Sequence, residues 1–420
     1  MTRREFLKLV GLAAVDAASP ISIPPREVAE KARRKTMRPN MLGAYGEWAA
    51  DIVGERPGRY SFRNPRWEDL EAWRRAARER FRELLLQPEE AFIPKAKVEG
   101  SFRYDGLDIE LLTWQLPYGP PSRAVFMKPA GARGPLPGVL GLHDHGGVKF
   151  FGLEKITRIS DEIHPMMRRH QEGYYGGVAW ANELAKRGYA VLVHDTFAFG
   201  SRRVLLRDVP GVIKERFGVA EIEEVNPESE EEIARYNTFA AEHEHIIAKG
   251  LFCAGTTWPG VFTYEDQRAL DYLCSRPEVD ESRVGCGGLS GGGLRTVYLA
   301  GLDERIACAC CVGMMTTWRD YLLNKSFTHT WMIYVPGLPP EMDYPEVLGL
   351  MTPKPVLVLN NADDFLFTLP EMKRADRILA EVYRKAGAEE RYRCSFYPGP
   401  HKFDREMQRE AFDFFDRWLK

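Results

Sequence analysis

With 420 residues, 44% hydrophobic content and mixed charges that sum to −2, the chain can bury one large core or two modest ones, and its composition is neither fibrous nor disordered. The near-neutral balance carries no general nucleic-acid footprint, so no nucleic-acid partner is expected. Past the N-terminus no apolar run approaches the length of a bilayer span, and the seven cysteines sit mostly in apolar segments, which favours buried thiols over a disulfide framework.

Residues 1–20 hold Arg3-Arg4, an apolar run over 9–15 and the small residues Ala17-Ala18-Ser19, and so resemble a twin-arginine export signal. The expectation leans to export or a periplasmic location over a cytoplasmic one. Asp16 interrupts the run, and a basic amphipathic segment is the alternative. Residues 21–58 read as an extended lead-in rich in Pro, Gly and charge. Over 65–87, Trp67, Leu70, Trp73, Ala77, Phe81, Leu84 and Leu85 recur at helical spacing, which predicts a helix with one face on the main body and closes an N-terminal extension at 21–96.

From residue 97 the period becomes strand-like. Strands at 101–104 and 107–115 are joined by Asp105-Gly106, a strong hairpin signal, and a third strand follows at 122–128. Strands at 138–142, 190–194, 283–289, 306–312, 355–359 and 392–396 then alternate with helices at 178–187, 264–274, 294–300, 370–386 and 405–419. This rhythm predicts an α/β fold over 97–420, a mostly parallel central sheet flanked by helices on both faces. Insertions at about 149–177 and 196–262 break it, the second with a charged helix over 227–249, and lids or pockets are expected there.

The strand at 283–289 runs into Gly288-Leu289-Ser290-Gly291-Gly292, a Gly-x-Ser-x-Gly turn that opens a helix. Gly288 and Gly292 are small where strand and helix pass closely. Ser290 is presented as a nucleophile, with the Gly291 N–H placed to stabilise an oxyanion. A Walker loop is excluded because the Lys-Ser/Thr pair is missing, and Ser290 stands where a dinucleotide fingerprint needs glycine. A serine needs a base. Of nine histidines, His401 is the best candidate, in a Gly399-Pro400-His401 loop after the last strand. The preceding strand ends in Asp363-Asp364; Asp364 is preferred as the acid that orients His401, with Asp363 the alternative, bonding the backbone of the turn. A second oxyanion donor is expected from His145 or Gly146, after the strand at 138–142. A metal on His143, Asp144 and His145 would need a further ligand from elsewhere, and neither metal nor cofactor is expected. His243-Glu244-His245 lacks the spacing of a zinc motif and reads as solvated helix surface, and Asp195 as structural to the 200–202 turn.

Taken together, the His143 to Gly147 loop, the run Asp266-Gln267-Arg268-Ala269-Leu270-Asp271, Gly288 to Gly292, the Asp363-Asp364 turn and Gly399-Pro400-His401 resemble the α/β-hydrolase superfamily, in its dienelactone hydrolase and acetyl xylan esterase-like branch. The resemblance implies a serine carboxylic-ester hydrolase for short acyl esters, acetyl groups on a carbohydrate or another small molecule among them. Ser290 stands where true dienelactone hydrolases carry cysteine. Tyr174, Tyr175, Phe197, Trp258, Trp331 and Tyr334 are read as either a sugar-stacking wall or packing. The rivals are a peptidase of the same fold and a non-catalytic binding module on it.

Overall fold

The computed structural model describes residues 39–88 and 90–420, and the expected alternation becomes one nine-stranded sheet. The export-signal reading at 1–20 lies outside the described residues. The strands are β1 (Lys97–Tyr104), β2 (Leu107–Trp114), β3 (Ser122–Pro129), β4 (Leu136–Gly141), β5 (Ala190–His194), β6 (Val279–Leu289), β7 (Ile306–Val312), β8 (Val356–Asn361) and β9 (Tyr392–Tyr397). They lie in the order β1-β2-β3-β5-β4-β6-β7-β8-β9. β1, β2, β3 and β5 pair antiparallel in turn, and every pairing from β5 across to β9 is parallel. Asp105 (φ 49°) and Gly106 (φ 78°) both adopt the left-handed conformation that a two-residue hairpin turn requires.

The main helices are α1 (Leu70–Leu85), α2 (Pro165–Tyr175), α3 (Trp180–Lys186), α4 (Glu230–Cys253), α5 (Trp258–Ser275), α6 (Gly291–Leu302), α7 (Leu369–Lys385) and α8 (Arg405–Leu419). One face of the sheet packs on α5, α6 and α7 through Leu270, Val297 and Leu379, with Trp73 of α1 joining the same core; the other packs on α3 and α8 through Trp180, Leu184, Met407 and Phe415. Because both faces are covered, the central strands are buried along their whole length rather than alternating, as in β5 and β8, whose apolar runs give way to polar residues only at their C-terminal ends. The cysteines of β6 and β7 are buried free thiols.

Helix α1 begins later than its periodicity suggests, because the Asp69 carboxylate caps it by accepting from the Ala72 N–H; Trp67 lies outside the helix and donates to the Arg59 carbonyl. Its arginines are not all solvated. Arg78 is buried and donates to the Gly301 carbonyl (2.9 Å), and Arg82 donates to that of Leu302 (3.2 Å), so two cations meet the C-terminal carbonyls of α6. Phe81 packs on Tyr298 of α6 at 5.4 Å between ring centroids. Helix α1 thereby braces the helix that follows Ser290.

One expectation changes, and two segments gain structure that the sequence did not specify. Residues 46–53, read as extended, form a short helix, Gly46–Val53. The two insertions build a small core of their own, in which Phe150, Met167, Val219, Ile222 and Phe239 meet. A third excursion, after β7, had no periodic signal; it runs through short turns to the helix Tyr344–Gly349. Among the described residues, no helix is long and apolar enough to cross a membrane.

Candidate active site

At the C-terminal end of β6 the chain turns sharply into α6, with Ser290 at φ 57° and ψ −116°. A non-glycine residue reaches this strained region only when its surroundings force it there. Here the constraint is the Leu142 backbone. A Cβ on Gly288 would lie 2.1 Å from the Leu142 carbonyl oxygen, and one on Gly292 would lie 2.0 Å from it. The Ser290 N–H is held by the Val312 carbonyl (2.9 Å), which leaves the half-buried side chain at the wall of a cavity of about 470 Å³.

His401 lines the same cavity. Its Nδ1 meets the Asp364 Oδ2 at 2.6 Å, and Asp364 is buried with Oδ1 accepting from the Leu366 N–H (2.9 Å). The imidazole packs on Gly313, where a Cβ would come within 2.9 Å of the ring. Gly313 directly follows Val312, the residue that holds the Ser290 N–H. The His401 Nε2 is buried and bonds to no described group. Asp363 points elsewhere: it is exposed and its Oδ2 accepts from the Gly399 N–H (2.9 Å), bracing the histidine loop. The structure thus brings Ser290, His401 and Asp364 to one end of the sheet.

The loop after β4 closes the opposite wall, where His145, Gly146 and Gly291 line the cavity. A Cβ on Gly291 would lie 2.7 Å from the His145 backbone nitrogen, so these two backbone N–H groups are neighbours. The N–H groups of His145, Gly146 and Gly291 find no backbone acceptor among the described residues. Asp144, in the same loop, is buried. It lines the cavity at its edge, and its carboxylate bonds His170 Nε2 (3.1 Å) and the Tyr175 hydroxyl. Asp144 is held below the ordinary carboxylate range: burial opposes its charge, but His170 and Lys155 outweigh burial.

One expectation is corrected here. His243 and Glu244 are buried rather than solvated, because the neighbouring insertions cover that face of α4. His243 stacks on Phe239 at 4.9 Å. Glu244 lines the cavity and ties three segments together. Its Oε1 accepts from His145 Nε2 (2.8 Å) and from the buried Lys149 ammonium, and its Oε2 accepts from the Thr330 hydroxyl (2.7 Å) and the Trp331 N–H (3.2 Å). Burial works against the Glu244 anion, but His145 and Lys149 more than compensate and hold its pKa low. His329, on the cavity wall, donates its Nε2–H to the Leu366 carbonyl (2.9 Å); burial lowers its pKa to about 4, so it stays neutral near pH 7. Of the aromatic residues, Tyr174 and Phe327 line the cavity, whereas Tyr175 and Trp258 are fully buried and Phe197 packs on Trp258. Asp195 accepts from the Ser201 and Leu153 N–H groups at 2.8 Å each, a structural role. Among the described residues no group of three or more His, Cys, Asp or Glu side chains is arranged to hold a metal ion.

Known proteins share this architecture. A crystal structure of "a putative acetyl xylan esterase" from Bacteroides fragilis NCTC 9343 superposes with a TM-score of 0.61 at 16% identity, covering 85% of this chain and 83% of that one. The glucuronoyl esterase from Solibacter usitatus gives 0.58 at 14% identity, covering 87% and 97%. The chain has the α/β-hydrolase fold. In this α/β-hydrolase fold Ser290, Asp364 and His401 follow β6, β8 and β9. In sequence, the chain is 28% identical over 299 residues to "Putative hydrolase YtaP" of Bacillus subtilis (strain 168), which spans 70% of this chain and 83% of the relative. No protein-family model matches the chain.

Proposed function

We propose that the protein is a serine carboxylic-ester hydrolase. The observation that carries this reading is the Asp364–His401 bond at the cavity that also holds a serine on a strained turn and three backbone N–H groups without a backbone acceptor among the described residues. Ser290 Oγ attacks the ester carbonyl while His401 Nε2 takes its proton, and Asp364 stabilises the imidazolium through Nδ1. The oxyanion rests on the N–H groups of Gly291 and His145. Collapse of the tetrahedral intermediate expels the alcohol, which receives the proton from His401 and leaves an acyl group on Ser290. Water, deprotonated by His401, then attacks the acyl-enzyme and returns the carboxylic acid and free Ser290.

For the substrate, the reading is a short acyl ester, an acetyl group on a carbohydrate or other small alcohol. It is supported by the family resemblance of the motifs and by the names of the similar structures, an acetyl xylan esterase and a glucuronoyl esterase. The twin-arginine-like residues Arg3-Arg4 support export of the folded chain. Comparison of acetylated saccharides with aminoacyl amides tests the reading: turnover of the acetyl esters is expected, and hydrolysis of the amides alone would transfer the protein to the peptidases.

A further inference from the structure

Lys155 is fully buried, and its ammonium makes its two hydrogen bonds to backbone carbonyls, those of Asp144 (2.8 Å) and His145 (2.9 Å). A trans peptide is planar, with C=O and N–H on opposite sides. The Asp144 carbonyl belongs to the peptide whose N–H is that of His145, and the His145 carbonyl to the peptide whose N–H is that of Gly146. His143 Nδ1 also donates to the Asp144 carbonyl (3.1 Å) and the Val148 N–H to that of His145 (3.2 Å), but among the described residues Lys155 is the one group that bonds both, holding them on the scaffold side of the loop and turning both N–H groups away from itself. The His145 nitrogen lies beside Gly291, and both residues line the cavity with Ser290.

Resting on the ester-hydrolase reading, we infer that Lys155 is the positioning residue of the oxyanion site, fixing the peptide planes on either side of His145 so that their N–H groups face the cavity. It acts through the backbone and does not touch the reacting atoms. The Phe199 ring lies 4.6 Å from its ammonium and covers it. The charged groups around it are Asp144 from the loop after β4, Glu154 and Lys149 from the first insertion, and Asp195 from the end of β5. The His143 and His145 imidazoles beside it are held neutral, chiefly by burial. Burial pulls Lys155 down to about 8, with Lys149 adding to that effect and the three carboxylates opposing it. The ammonium therefore dominates below about pH 8 and is lost above it. A neutral amine keeps two N–H groups but loses the charge-assisted character of both bonds, so kcat is expected to fall by about threefold to tenfold through that range rather than to zero.

The experiment is the pH dependence of kcat and KM for 4-nitrophenyl acetate, measured on the full chain, on Lys155→Met and on Lys155→Gln. Wild type should show the alkaline fall in kcat. Lys155→Met should lower kcat by about tenfold to a hundredfold with KM within about threefold, and should show no alkaline limb. Lys155→Gln, which restores donors without a titrating charge, should recover part of kcat and remain flat. If Lys155→Met does not fold, the Gln variant and the wild-type profile decide. A wild-type kcat that stays level from about pH 7 to pH 10, or a limb retained in either variant, overturns the inference. Wild-type turnover by Ser290→Ala would instead sink the reading beneath it.

Discussion

Asp363 and Asp364 are neighbours after the same strand, yet they take different partners because the chain turns there, with the Asp364 N–H on the Asn361 carbonyl and the Asp363 N–H on that of Gly399. Asp364 is buried on the His401 imidazole; Asp363 is exposed on the Gly399 N–H. Asp364→Asn should lower kcat by about ten-thousand-fold by favouring the wrong imidazole tautomer, while Asp363→Asn stays within about tenfold. Steady-state kinetics of the two variants check this, and equal losses would exchange or remove the assignment. Ser290, His401 and the aspartate pair were legible because each follows the end of an apolar strand, and chain order carries that information. Lys155 was not. Its only local sign is a lysine inside the run Phe150-Phe151-Gly152-Leu153-Glu154-Lys155-Ile156, and the carbonyls it holds belong to another loop. Sequence left the second oxyanion donor open between His145 and Gly146, since the answer depends on how close the loop comes to Gly291.

Among the elements, strands and core helices were readable from periodicity, including the Asp105-Gly106 hairpin and the amphipathic α1. The misreading fell on α4, whose charged face looks solvated because periodicity reports a helix face and not what covers it. Glu244 is bound to His145 across 99 residues and to Thr330 across 86, distances at which no local pattern survives. The excursion after β7 was missed for a related reason: its short turns have no sustained period, and its Trp331 and Tyr334 offered only aromatic character. The Glu244–Lys149 pair yields a prediction for the insertions. Glu244→Ala strands a lysine that is 2% exposed, and loss of one partner of such a pair costs about 3–5 kcal/mol. Replacing both residues together with Leu and Met should cost clearly less. Urea unfolding of the two variants measures the difference, and an equal or larger loss in the double variant would show that the His145, Thr330 and Trp331 donors left unpaired in both, rather than the stranded cation, carry the cost.

In the molecule as a whole, the sheet supplies the placement and the insertions supply the cavity. The parallel strands from β5 to β9 deliver loops to one end, where β4, β6, β8 and β9 present His145, Ser290, Asp364 and His401 in turn. Helix α1 braces α6 from behind through Phe81, Arg78 and Arg82. The cavity of about 470 Å³ is walled by α4, by the loop after β4 and by the excursion after β7. The fold therefore follows from the regular part of the chain, and much of the cavity wall from its irregular part. The central claim is that Ser290 is the nucleophile. Mass-spectrometric mapping after treatment of the folded protein with a fluorophosphonate tests it most directly, with Ser290→Ala in parallel. One adduct on the Ser290 peptide is predicted, formed as ester turnover is lost, together with an unlabelled, inactive Ser290→Ala that melts near the wild-type temperature. No adduct, an adduct on another residue, or turnover retained by Ser290→Ala would contradict it.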